Sequence, residues 1–397
     1  MSKFPTISSS LKPNHEHKEM QKQERFEGFD FLRAIFSVAV IGYKTKIFYI
    51  PKILFPSAFT IALSDYVLSG MVGALAVPVF LQISLFIFQL KSEDTGLKYF
   101  LQKRLPRLVS LYLFWVISIT VFDILFVDGL DAIKGAIASP KSFLLFIVSG
   151  NNTPYFFFFS LIFVTIIAEI LVLRLGRVQK PSTRLTINYA LLIISSIMVF
   201  AFATIEPIID YMGLQSFALK SLSNLTSWDY SPLNFLPYIF SAAITAQEYR
   251  MRSLDKMTSS LKWKLKSLLV LTLSFFALEW ILTSHKLLIQ VDQAPLDHYM
   301  RLSLVFGSWL LLYAAILVKQ RPPVFVKFLA SCSLGIYGFH VFFSFKKPLP
   351  LDQVPGIGGV FQSFPVMQML AYFWITLIGS ILLTVLCRRL KILKGFV

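Results

Sequence analysis

The chain has 397 residues, of which 56% are hydrophobic and only 15% charged, with a mean hydropathy of +0.68. Soluble domains carry roughly 25% charged residues, and forty Phe are more than a packed soluble core uses, so the composition excludes a water-soluble fold. The net charge of +17 does not point to nucleic acid, because Lys and Arg sit in short clusters between apolar runs, as in multi-pass membrane proteins.

Residues 1–28 are polar and charged and lack the apolar core of a signal peptide. They read as a disordered, basic cytoplasmic tail in which His15 and His17 carry no chemistry. From there about ten apolar runs approach the ~20 residues that a crossing needs. They cover 29–50, 67–90, 108–127, 155–175, 187–205, 232–248, 267–284, 302–318, 327–345 and 368–387. The stretch FLLFIVSG (143–150) is too short to cross and reads as a re-entrant or interfacial piece. The predicted fold class is therefore all-α, a polytopic membrane protein of about ten transmembrane helices. One membrane domain spans 29–390, followed by a short cytoplasmic tail, 391–397.

The loops alternate in charge. Basic clusters lie before residue 29 and at 91–107, 174–186, 249–266, 319–327 and 388–394, whereas the intervening loops are neutral or mildly acidic. Positive loops stay cytoplasmic, so both termini are expected inside. No internal repeat of the kind found in inverted-repeat transporters is evident. Cys332 and Cys387 lie at the edges of apolar runs. They imply no disulfide framework, and no His or Cys has metal-ligand spacing, so no metal is expected.

Ionisable residues inside apolar runs are costly and tend to mark sites. Arg33 and Lys44 lie eleven residues apart on one face of the first run, roughly 16 Å along a helix. Lys44 either snorkels outward with Lys46 or faces a polar cavity. Asp30, three residues before Arg33, either forms a local ion pair or holds Arg33 for an anionic ligand. Arg104 and Arg107, flanking Pro106 at the start of the third run, are either ordinary cytoplasmic anchors or an anion site of the kind arginine forms with phosphate. Tyr337 and His340 share a helix face in CSLGIYGFHVFF (332–343). Glu279 could balance Lys44 or Arg33, and Glu169 could pair with Arg174.

Taken together, FDFLRAIFSVAVIGYK, AVPVFLQISLFIF, FLQKRLPRLVSLYLFW, NNTPYFFFFSLIFV and SLGIYGFH resemble, in order, motifs of the integral-membrane acyltransferase-3 family, whose members O-acetylate surface glycans. Asp30 and Arg33 fall on its Asp-x-x-Arg, Arg104 and Arg107 on its Arg-x-x-Arg, and Ser333, Tyr337 and His340 on its late Ser-x-x-x-Tyr-x-x-His. Two departures stand out. The family's first-span His, its catalytic base, is replaced by Lys44, and its Ser-Gly pair reads Ser84–Leu85.

The resemblance implies an enzyme that moves an acetyl or similar acyl group from acyl-CoA to a hydroxyl of a cell-surface glycan or lipid-linked sugar. Its location would be a plasma membrane such as a bacterial inner membrane. Arg104, Arg107 and Arg33 would hold the phosphates of acetyl-CoA. Lys44 would serve as base or oxyanion stabiliser, with Tyr337 and His340 as hydrogen-bonding supports or a substitute base. The alternative is a non-catalytic protein that binds or exports a polysaccharide or lipid-linked sugar.

Overall fold

The computed structural model describes residues 26–178, 180–213, 230–285, 298–344, 351 and 358–397. The expected tail before residue 26 and the outer-loop carboxylates Asp229, Asp292 and Asp297 lie outside the described residues. Among the described residues there are helices and turns and no strand. The principal helices are α1 (Glu27–Lys44), α2 (Ala76–Tyr99), α3 (Leu105–Phe126), α4 (Phe156–Leu175), α5 (Pro181–Tyr211), α6 (Leu236–Arg250), α7 (Ser259–Ser284), α8 (Leu302–Leu317), α9 (Val324–Ser344) and α10 (Pro365–Arg389). Each falls on one of the apolar runs of the sequence. The stretch expected to be re-entrant or interfacial forms a short helix, Pro140–Ser149.

Six helical stretches among the described residues are long and apolar enough to cross a membrane: Ala58–Phe126, Phe156–Leu175, Pro181–Ile205, Ser259–Ser284, Val324–Ser344 and Pro365–Arg389. The first is not one rod. Gly96, at φ +67° and ψ −171°, breaks it near the end of α2, in a backbone region open almost only to glycine. The remaining expected spans, α1, α6 and α8, have 18, 15 and 16 residues. They are short or charged because they are packed among other helices rather than in lipid. In α6 every residue from Pro237 to Ala246 is buried. By contrast, α5 exposes Ile193, Ile194 and Ile197, and α7 exposes Leu269, Val270 and Leu273. Apolar side chains exposed in this way suit a lipid boundary.

Local chemistry sets several helix limits. Thr258 caps α7 by accepting a hydrogen bond from the Leu261 backbone at 3.2 Å. Pro365 opens α10 at a position where a missing N–H costs nothing. In the bundle, α1 packs against α8 and α9, α9 against α10, α2 against α4 and α6, and α7 against α8. At Gly338 on α9 an added Cβ would lie 2.1 Å from the Trp115 ring of α3, so this residue lets the two helices meet.

The buried charges are paired differently from the sequence expectation. Glu279 does not balance Lys44 or Arg33. Its Oε2 pairs with Arg301 Nε at 3.1 Å, and its two oxygens accept from Ser303 N at 2.9 Å and Ser303 Oγ at 2.5 Å. Arg301 also donates to the Gly70 carbonyl. Arg301 stands just before an apolar run and so was not conspicuous as an intramembrane charge. Glu169 accepts from Ser92 Oγ, a buried neighbour on α2, instead of pairing with Arg174 at the helix end. A half-buried cation, Lys264, binds Glu248 and the Tyr189 hydroxyl, while Tyr313 donates to Glu248 Oε2 at 2.6 Å.

Candidate active site

One face of α2 presents Phe80, Ile83, Ser84, Ile87 and Lys91 to a cavity of about 540 Å³, the three-, four- and seven-residue spacing of a helix face. A π-helical turn, Phe100–Arg104, leads into α3 and delivers Arg104 to the same space. Arg104 Nη2 donates to Ser84 Oγ at 2.6 Å and reaches the Ser84 carbonyl at 3.4 Å. Its guanidinium lies 5.8 Å from the Phe88 ring centroid, and its Nε is buried without a hydrogen-bond partner. Ser84 thus has a definite task as the seat of Arg104. Leu85, where the family motif has Gly, is fully buried in the core.

Five cations line this cavity, from four parts of the chain: Arg33 of α1, Lys91 of α2, Arg104 and Arg107 at the start of α3, and Arg388 of α10. No Asp or Glu is among its lining residues. Arg104 and Arg107 feel each other's charge. Arg388 is held by α9, donating to Ser331 Oγ at 3.1 Å and to the Ser331 carbonyl. Such a concentration of one sign favours an anion, above all phosphate.

The other end of the cavity is aromatic. Phe80, Phe157 and Phe158 surround the Tyr337 ring at centroid distances of 6.2, 5.2 and 5.8 Å. Tyr337 is fixed by donating its hydroxyl to the Pro154 carbonyl at 2.6 Å. Tyr155 donates in the reverse direction to the Gly338 carbonyl at 2.8 Å. These two bonds lock α9 to the segment that begins α4.

His340 lies behind Tyr337, with ring centroids 5.6 Å apart, and is fully buried. Its Nδ1 is 2.6 Å from the Tyr337 carbonyl. A carbonyl can only accept, so Nδ1 carries a proton, and in the neutral ring Nε2 then holds the lone pair. Nε2 is buried with no hydrogen-bond partner. Lys44, half-buried at the end of α1, lies near enough to act electrostatically on His340, and its Nζ is 5.0 Å from the Tyr43 ring centroid.

The structure therefore brings Arg33, Arg104, Arg107 and Tyr337 to one cavity, with His340 behind Tyr337 and Lys44 within electrostatic reach of it. Lys91 and Arg388 also line it and are not evident as site residues from the sequence, whereas Ser84 stood out only as half of the altered Ser-Gly pair. Lys91 and Arg388 looked like ordinary positive loop charges, and the only hint was that Lys91 follows Ser84 by seven residues. A second cavity of about 430 Å³ lies on another face of α2, lined by Gln89, Glu93, Arg184, Asn188 and Arg250 among others. There the charges are balanced, with Arg250 paired to Glu93 at 3.1 Å and to Asp94 at 3.0 Å.

A cationic mouth, an aromatic floor and a buried imidazole within electrostatic reach of a lysine offer the means to hold an anionic donor, seat a small group and accept a proton. Neither a comparison with curated proteins nor one with solved structures gives a match. Residues 26–385 match the family model described as an acyltransferase domain. That match covers nearly the whole helical bundle, and the chain belongs to the acyltransferase-3 family of membrane proteins.

Proposed function

We propose that this chain is a membrane O-acyltransferase that moves an acetyl or similar short acyl group from acyl-CoA to a hydroxyl of a cell-surface glycan or lipid-linked sugar. The observation that carries the reading is the cavity lined by five cationic side chains and no Asp or Glu. With basic loops inside, its charged mouth faces the cytoplasm, where acyl-CoA is found. Arg104, Arg107 and Arg33 bind the donor's phosphates, Arg104 from its seat on Ser84. The thioester end lies among Phe80, Phe157, Phe158 and Tyr337.

In the transfer, His340 Nε2 takes the proton of the acceptor hydroxyl as its oxygen attacks the thioester carbonyl. The lysine charge of Lys44 stabilises the oxyanion of the tetrahedral intermediate. Collapse breaks the C–S bond, and the departing CoA thiolate takes up the proton from His340. A new C–O ester bond remains on the acceptor. Tyr337, held on Pro154, positions His340 through its carbonyl.

The binding half of this reading is tested by titrating purified protein with acetyl-CoA. Changing Arg104 and Arg107 together to Ala should weaken binding by more than about tenfold at unchanged expression, since charge-assisted hydrogen bonds are each worth about 1.5–3 kcal/mol. Unchanged affinity would return both arginines to membrane anchoring. A second reading, a non-catalytic protein that binds or exports a lipid-linked sugar, is favoured by one observation: Lys44 stands where the family has its first-span His. Thioester turnover by the purified protein separates the two.

A further inference from the structure

The cavity holds more positive charge than the arginine pair at the start of α3 supplies. Lys91 and Arg388 reach it from α2 and α10, and neither belongs to the motifs that mark the family resemblance. Lys91 follows Ser84 by two helical turns on the same face, roughly 10 Å farther toward the basic loop 91–107. Ser84 seats the guanidinium of Arg104, so Lys91 continues the column of cations outward from Arg104. The Lys91 ammonium forms no hydrogen bond or ion pair with another described residue, the Lys91 carbonyl alone accepting from Thr95 Oγ1 at 2.6 Å. Arg388 is fixed in place by Ser331 Oγ and the Ser331 carbonyl. No Asp or Glu is among the lining residues. Gathering like charges around one space is unfavourable unless an anion of comparable charge occupies it.

We propose that Lys91 and Arg388 form a second phosphate site at the cavity mouth, distinct from the Arg104–Arg107 pair, which selects donors carrying a phosphate monoester in addition to a diphosphate. This inference rests on the acyl-CoA reading above and narrows it. The preferred donor is an acyl thioester of a nucleotide bearing a ribose phosphate. The same thioester on a bare phosphopantetheine arm, which carries a single phosphate, is a poor donor. Arg104 and Arg107 take the diphosphate, nearer the aromatic floor. Lys91 and Arg388 take the ribose phosphate, nearer the cytoplasm.

The test is equilibrium binding of three compounds to the purified full-length protein: acetyl-CoA, acetyl-dephospho-CoA, which lacks only the ribose phosphate, and acetyl-phosphopantetheine. The wild type should bind acetyl-CoA about tenfold or more tighter than either of the others, the discrimination expected from one charge-assisted phosphate contact. Lys91→Met and Arg388→Met should each weaken acetyl-CoA by about five- to tenfold and leave acetyl-dephospho-CoA unchanged, whereas the Arg104 and Arg107 variants should weaken both. Arg388→Lys, which keeps the charge, should retain part of the preference. Because Arg388 also ties α10 to α9, a poorly folded Arg388→Met leaves Lys91→Met to decide the question alone. Equal wild-type affinity for acetyl-CoA and acetyl-dephospho-CoA would overturn the second site, as would equal losses for both compounds in Lys91→Met. If the wild type binds none of the three, the acyl-CoA reading itself fails, and the second site with it.

Discussion

Lys44 and His340 lie nearly three hundred residues apart and come within electrostatic reach of each other because α1 packs along α9. Each was visible in the sequence, since a Lys or His inside an apolar run stands out. Their proximity was not, because helix pairing is a tertiary property. Substituting His340 with Gln removes the lone pair at Nε2 and should lower acyl transfer by about 10²–10⁴-fold, the usual contribution of a general base. Lys44→Met should cost about 10²–10³-fold through loss of the oxyanion's partner, while Lys44→Arg should keep most of the activity. If Lys44 were itself the base, Lys44→Arg would be inactive and Lys44→His active, so steady-state rates of the three variants decide its role. His298, outside the spans, gives a pH signature of a different kind. Burial, followed by the positive charge of Arg301, pushes its pKa down to about 3, against about 6.5 in an unfolded chain. The unfolded state therefore binds the extra proton first. His298 favours the fold fully above pH ~6.5, and that advantage is lost progressively as pH falls toward 3. Melting temperature should drop over this window, and His298→Gln should flatten the drop. A slope unchanged in His298→Gln would place the titrating group elsewhere.

Between helices, close approach and charge pairing matter more than apolar pattern. Gly338→Ala places a Cβ against Trp115 and should destabilise the α3–α9 contact by about 1–3 kcal/mol or more. Gly96→Ala forces a side chain into a backbone region that only glycine occupies freely, at a cost of about 1–3 kcal/mol. Gly135→Ala, on an open helix surface with no atom within 4 Å, should be neutral or slightly stabilising. Thermal unfolding in detergent ranks the three, and equal melting temperatures would contradict the packing described. The Glu279–Arg301 pair clamps α7 to the start of α8. Glu279→Gln leaves Arg301 buried without its counter-charge and should destabilise by about 3–5 kcal/mol, with little effect on donor affinity. Helix positions were legible here from apolar runs and from prolines such as Pro365. The partners of Glu279 and Glu169 were not, since sequence shows which charges are buried but not which side chains they face.

For the molecule as a whole, hydropathy located the helices well and their membrane crossings less well. The three helices that fall short, α1, α6 and α8, are screened from lipid by their neighbours, and length and apolarity track lipid contact rather than depth in the bundle. From the charge alternation of the loops both termini are expected in the cytoplasm. In a variant with Cys332 and Cys387 replaced by Ser, single cysteines at Lys180 and Lys256 should be labelled only after permeabilisation. Those at Asp131 and Asp292 should be labelled in intact cells, and external labelling at position 256 would overturn the orientation. On the proposed function, that orientation would put the five-cation mouth on the donor side and Lys44 and His340 toward the acceptor side. That the acyl donor lies in this cavity, with its acyl group on the aromatic floor, can be tested most directly by photo-crosslinking. A CoA thioester with a diazirine in its acyl chain is irradiated with the purified protein, and the labelled peptides are mapped by mass spectrometry. Label is expected at Phe80, Phe157, Phe158 and Tyr337, suppressed by excess acetyl-CoA and by the Arg104→Ala, Arg107→Ala pair. Suppressible label at Leu171, Asn188 and Gln247 instead, in the charge-balanced cavity on the other face of α2, would contradict it.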